Sequence, residues 1–353
     1  MTSDMTSTSW FGPDFVAEYR RKHGARSPEQ RPLTYDIAVE DEYAPWRGWL
    51  DEQLAHLPAS AAAATAGKIW LDKDFWTVNL ELAVGAGLRA AGLTVEYEHN
   101  WNGVSPDWTI LAKDGRPSCF VEVHTDNPPA DTFARMRAWH ALVQRIRQIP
   151  VGVVLQLGPG SPVDPPDAGT AKKIARELRT QLLQETTQAW FTSCGYTFLV
   201  MGDRHQQGRQ MTSPWGVRAC FNPPSEMAGV VDSQSLKTHV EEKVRKYRTL
   251  ADDYGVPLVV AVGAHKFTGL SLEEVDHLIN GADAPVITFQ FNAGDQMVSS
   301  RPIPWGPVAP WTMPEELSEL IWISNEFPFP LTRRVNPRAR RAATWNLPAD
   351  VAR

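Results

Sequence analysis

Two runs of the chain, "VGVVLQL" at 151–157 and "VPLVVAVGA" at 256–264, are apolar at nearly every position. A strand with one face in water alternates apolar and polar residues; a run without alternation is covered on both faces. Strands of that kind sit in sheets flanked by helices, so an α/β architecture is predicted. The sequence between them supplies the helices. "DKDFWTVNLELAVGAGLRAAG" opens with Asp72 or Asp74 as a cap, carries an apolar stripe and stops at Gly92. "DTFARMRAWHALVQRIRQI" sets Phe133, Met136, His140 and Val143 on one stripe, with Arg135, Arg137, Arg145 and Arg147 largely off it. "SLKTHVEEKVRKYRTLADDYG" is a helix ended by Gly255, and further helices are predicted over about 170–189 and 271–280. "LTVEYEH" alternates as a half-buried strand, and other strands are expected near 196–202, 215–221 and in "PVITFQF" at 285–291.

The chain of 353 residues divides by composition. Residues 1–65 read as mostly helical, 66–160 as a compact α/β core, and 161–300 as an α/β extension that can continue the core sheet. Residues 301–353 are rich in proline and tryptophan, then in arginine (Arg333, Arg334, Arg338, Arg340, Arg341). Cys119, Cys194 and Cys220 are scattered and form no C-x-x-C, which suits a reducing cytoplasm and excludes a disulfide framework or a cysteine zinc site. No basic-then-apolar leader and no apolar run of membrane-spanning length is present, so no membrane partner is expected. A net charge of −6 argues against an overall positive coat while leaving room for a local basic groove. The glycine-rich stretch "GPGSPVDPPDAGTAKK" lacks the spacing of a phosphate loop, and its prolines lack the amides such a cradle needs.

Chemistry concentrates in "SPDWTILAKDGRPSCFVEVHT", residues 105–125, which reads as two strands around a Lys113-Asp114-Gly115 turn. Asp107 opens the first strand; Glu122 sits in the middle of the second, between Val121 and Val123. Glu122 and His124 are two apart and project to one face, and Asp126 extends that row. Carboxylates converging in an apolar sheet are costly unless they pair or share a cation, and hard oxygen ligands suit Mg²⁺ or Mn²⁺. Glu81 on the preceding helix is a third candidate, because Gly85, Ala86 and Gly87 beside it allow that helix to approach the sheet closely.

The order of elements, with Pro106-Asp107 followed by Glu122-Val123-His124, resembles the PD-(D/E)xK superfamily of restriction-endonuclease-like nucleases over roughly residues 72–158. The resemblance implies a restriction-endonuclease-like core (α-β-β-β-α-β) with a mixed sheet, plus an α/β extension. It implies Glu81, Asp107 and Glu122 as metal ligands for Mg²⁺ or Mn²⁺, with Asp107, Glu122 and His124 as the catalytic set. His124 stands where that family carries lysine. A neutral imidazole there can act as a general base, join the metal, or mark a retired site. Lys113 or a lysine of the 237–246 helix is the alternative source of the missing ammonium. The expected function is divalent-metal-dependent hydrolysis of phosphodiester bonds in nucleic acid, DNA foremost, in defence or DNA processing, with a homodimer as one arrangement. The rivals are a catalytically inactive binding or scaffolding protein on the same fold, and a different metal-dependent hydrolase. The arginines of 133–149 and of 333–341 are candidate phosphate contacts.

Overall fold

The computed structural model describes residues 9–184, 189–201, 218–224, 233–265, 270–281, 290–293, 296–299 and 309–345. Helices α1 (Pro13–His23), α2 (Tyr35–Val39), α3 (Ala44–Ala55) and α4 (Ala59–Lys68) precede α5 (Phe75–Ala90). Strands β1 (Val95–Tyr97), β2 (Trp108–Leu111) and β3 (Pro117–Asp126) follow. Next come α6 (Phe133–Arg147), β4 (Val154–Leu157), α7 (Ala168–Leu183), β5 (Trp190–Ser193), β6 (Tyr196–Met201) and β7 (Cys220–Asn222). The chain continues with α8 (Ser233–Tyr254), β8 (Leu258–Ala264), α9 (Leu272–Asn280), β9 (Gln290–Ala293), β10 (Gln296–Ser299), β11 (Leu317–Ile323) and β12 (Leu331–Val335).

The molecule is α/β. Its larger sheet is mixed, in the order β1-β2-β3-β8-β11-β12. β1, β2 and β3 run antiparallel to one another in turn, β8 lies parallel to both β3 and β11, and β12 closes the far edge antiparallel. The predicted turn is present, with Gly115 at φ +79°, a left-handed conformation that costs glycine nothing. α5 and the N-terminal helices cover one face, packing on Cys119, Val121, Val123, Val259, Ala261, Ile321 and Ile323. α8 covers the other: Leu236, Val240, Val244, Tyr247 and Leu250 recur at helical spacing and meet Phe120, Leu258, Val260, Val262 and Leu320. The alternation along β3 thereby sends Phe120 and Glu122 toward α8 and Val121 and Val123 toward α5.

α5 does lie close to the sheet. A Cβ on Gly85 would stand 2.2 Å from the Trp108 ring, one on Gly87 2.3 Å from Leu331, and one on Gly263 of β8 2.6 Å from Leu80. At Gly85 the Trp108 ring leaves no room for a side chain, whereas at Gly87 and Gly263 the contact is with a leucine methyl; Trp108 Nε1 also donates to the Glu81 carbonyl at 2.8 Å.

Several expectations are corrected. The helix and strand expected at 133–149 and 151–157 do not complete the larger sheet. β4 belongs to a separate four-stranded sheet, β5-β6-β4-β7, which shares a core with α6 and α7 built on Trp139, Leu142, Ile146, Ile174, Leu178 and Phe198. β4 is half-buried, with Leu155 inward and Gln156 exposed, rather than covered on both faces. The buried stripe of α6 runs through Phe133, Met136, Trp139, Leu142 and Ile146; His140 instead turns to Asp36 at 3.1 Å. The place beside β3 is taken by β8, reached through α8. Residues beyond 300 contribute an element the sequence reading did not mark: "LSELIWI" forms β11, buried at every position, so the C-terminal segment supplies a central strand. The strand expected at 285–291 lies mostly outside the described residues, as does the histidine-containing loop at 201–210.

Candidate functional site

β2 and β3 stay paired as far as Trp108 opposite Val121. Beyond that point Pro106 offers no N–H, and the strands part. Asp107 occupies the fork. Its Oδ2 accepts from the Val123 backbone N–H at 2.7 Å, and its own N–H points at Glu122 Oε2 at 3.4 Å. Thus the two acids singled out in the hairpin are neighbours. Glu122 is only 2 % exposed, on a strand flanked by β8, so its charge has little access to water.

Glu81 approaches from α5. Its Oε2 accepts from the Tyr97 hydroxyl at 3.3 Å. Burial pushes its carboxyl up to about 7, opposed by Lys68 and reinforced by the charges of Glu98 and Glu122. Asp107 is likewise raised well above the carboxylate range, first by burial, then by Glu122 and Glu81. Burial is the larger cause at both residues, and the charges of the neighbouring acids add to it. The donor set, all carboxylate oxygen, fits a hard ion such as Mg²⁺ or Mn²⁺.

A lysine also reaches this point. Lys243 Nζ, on α8, sits 2.5 Å from Glu122 Oε1. Of the two lysine sources considered, the helix brings one into contact with Glu122, whereas Lys113 stays exposed at the hairpin turn. One helical turn further, the Tyr247 hydroxyl accepts from Lys246 Nζ at 2.7 Å and donates to the Ser105 carbonyl at 3.2 Å; burial and the nearby Glu122 charge raise its pKa.

His124 is on the same face as Glu122 but turns to a different partner. Its ring lies 4.6 Å from that of His239, centroid to centroid. Burial, then His239 and Lys243, depress its pKa to about 4, so the imidazole is neutral at physiological pH. Asp126 comes next in the row and is buried. Among the described residues, His124, Asp126 and His239 present ligand atoms that all lie within 4.8 Å of one another, and Glu81, Asp107 and Glu122 do not close to that spacing. Sequence reading named His124 and placed Asp126 in its row, but missed His239, because its only signal is a position four residues before Lys243 on the covering helix.

The predicted phosphate-binding arginines are already paired. On α6, Arg137 meets Asp72 at 3.0 Å, Arg145 meets Glu29 at 2.6 Å, Arg135 lies 3.7 Å from Asp164, and Arg147 is bonded to Glu42. In the C-terminal cluster Arg333 grips buried Glu319, Arg334 holds Asp276 at 2.5 Å, and Arg341 reaches Asp252 at 2.7 Å. Arg340 and Arg338 share Glu315 at 3.2 and 4.0 Å. Both clusters tie elements together. No helix among the described residues is long and apolar enough to cross a membrane. No family model matches the sequence, and no curated protein and no solved structure is significantly similar to it.

Proposed function

We propose that the chain is a divalent-metal-dependent hydrolase of phosphodiester bonds in nucleic acid, with DNA the favoured substrate. The observation that carries this reading is the meeting of Asp107 and Glu122 at the parting of β2 and β3, with Glu81 in electrostatic reach and Lys243 on Glu122. The arrangement of the larger sheet supports it: α5 precedes three antiparallel strands, β1, β2 and β3, and β8, reached through α8 after the intervening segment from α6 to β7, lies parallel to β3 in the place expected of the 151–157 strand.

Glu81, Asp107 and Glu122 would hold Mg²⁺ or Mn²⁺, which when bound lowers the pKa of water and polarises a phosphoryl oxygen. Lys243 takes the part of the ammonium: it sets the orientation of the Glu122 carboxylate and places a fixed positive charge where negative charge develops. His124, neutral and facing His239, stands beside that set. Because the arginine clusters are engaged in ion pairs, the phosphate backbone would be met by exposed Arg245, Lys246 and Arg248, on the helix that carries Lys243.

A second reading is favoured by the same ion pair. Lys243 already neutralises Glu122, as it would in a catalytically inactive binding protein that keeps the fold for a partner. Labelled single- and double-stranded DNA and RNA, incubated with the full chain and Mg²⁺ or Mn²⁺, separate the two. Cleavage that disappears in chelator and in Asp107→Asn and Glu122→Gln supports the hydrolase. No cleavage, together with no metal-dependent rise in the unfolding temperature, supports the binding protein.

A further inference from the structure

α8 crosses over between two parallel strands and runs antiparallel to both. Four residues of helix advance about 6 Å, and two residues of strand about 6.6 Å. Residues four apart on α8 therefore fall opposite residues two apart on β3. Lys243 lands on Glu122, and His239, four residues earlier, lands on His124 two residues later. The first contact builds the acidic site; the second has no part in it.

We infer that His124, Asp126 and His239 form a separate site for a borderline divalent transition ion of the Zn²⁺ class. Three ligand atoms from these side chains lie within 4.8 Å of one another. A tetrahedral zinc ion separates its ligands by about 3.4 Å, given bond lengths near 2.1 Å, so small side-chain rotations close the site. His124 Nε2 and His239 Nδ1 are enclosed and have no hydrogen-bond partner among the described residues. An enclosed ring nitrogen without a partner is costly, and a lone pair donated to a metal removes that cost. The two imidazoles lie 37° from parallel, an arrangement in which two nitrogens can converge on one ion.

The donor chemistry separates this site from the acidic one. Two imidazole nitrogens and one carboxylate oxygen select Zn²⁺ and its neighbours over Mg²⁺, which takes oxygen almost exclusively. With three protein ligands a tetrahedral ion keeps one position open for water or a substrate oxygen, as catalytic rather than purely structural zinc sites do. The inference stands independently of the hydrolase reading.

The test is Zn²⁺ titration calorimetry on the full chain after chelator treatment, with excess Mg²⁺ present throughout. One tight Zn²⁺ equivalent is expected in the wild type, retained in Glu122→Gln and lost in His239→Gln. Zinc-edge X-ray absorption of the loaded wild type should show the outer-shell scattering of two imidazoles, a readout that does not depend on any variant folding. Absence of Zn²⁺ binding, binding unchanged in His239→Gln, or an all-oxygen shell would overturn the site. Failure of nucleic-acid cleavage with Zn²⁺ binding intact would count against the hydrolase alone.

Discussion

Lys243 Nζ lies 2.5 Å from Glu122 Oε1, across 121 residues of sequence. The carboxylate is almost wholly enclosed and the ammonium is partly exposed, so the lysine is the channel through which a buried charge is stabilised. Removing one partner of such a pair leaves the other uncompensated, which costs about 3 kcal/mol or more. Lys243→Met is expected to lower stability by that order in chemical denaturation. Adding Glu122→Gln in the same chain should recover most of the loss, because the charge that lacked a partner is gone. A fully additive double variant would show that the two groups do not interact.

The acidic site carries the opposite signature. Glu81 has its carboxyl raised to about 7 by burial and by neighbouring acids. A raised carboxyl pKa means that the folded state holds the proton more tightly than the unfolded one. Its contribution to stability is complete below about 4.5 and fades as pH rises through 7. In chelator, Glu81→Gln should therefore be more stable than the wild type at pH 8, by up to about 3 kcal/mol, and little different at pH 4.5. Millimolar Mn²⁺ should narrow the gap by stabilising the wild type. Thermal melts at the two pH values, with and without Mn²⁺, measure all of these; a variant less stable than the wild type at pH 8 in chelator contradicts the repulsion.

His265 gives a pH dependence of the other sign. It is buried against Trp76, with Phe133 nearby, and burial alone depresses its pKa to about 3. The folded state holds the ring neutral while the unfolded state protonates it from 6.5 downward. The contribution is thus complete above pH 6.5 and is lost as pH falls toward 3. His265→Phe should flatten the fall in melting temperature between pH 6.5 and 4. An unchanged slope would place the acid sensitivity elsewhere.

The C-terminal arginines should differ sharply among themselves. Arg333 pairs with Glu319, which is 1 % exposed on central strand β11, and stacks over Trp345 with its guanidinium 4.8 Å from the ring centroid. Arg333→Ala is expected to cost about 3–5 kcal/mol. Arg338, more than half exposed and 4.0 Å from Glu315, should cost under about 1 kcal/mol. Denaturant midpoints test both, and equal losses would contradict the assignment. If the cluster is structural, Arg338→Ala should also leave the salt dependence of any nucleic-acid binding unchanged.

What could be read from the sequence was what local pattern determines. The helix before the hairpin, the left-handed turn at Gly115, and the close approach allowed by Gly85 and Gly87 follow from spacing and residue type, and Asp107 with Glu122 follow from acids placed where strands prefer neutral residues. What escaped depends on long-range pairing. "VGVVLQL" and "VPLVVAVGA" look alike, yet only the second lies beside β3; the choice rests on α8 matching Phe120, Val260 and Val262 while Trp139 and Phe198 draw β4 into another core. In "LSELIWI" Ser318 and Glu319 interrupt the apolar run and mask the strand, and Arg333, fourteen residues on, is what makes Glu319 tolerable there. His239 and Lys243 carry no local mark; they matter because a helix of the right pitch lies over β3.

The most direct test is a crystal of the full chain soaked in Mn²⁺ and measured at the manganese edge. Anomalous density within bonding distance of both Asp107 and Glu122, with Glu81 beside it, is the predicted result. Density confined to His124, Asp126 and His239, or none at all, would mean that the acids at the parting of β2 and β3 do not hold a catalytic cation.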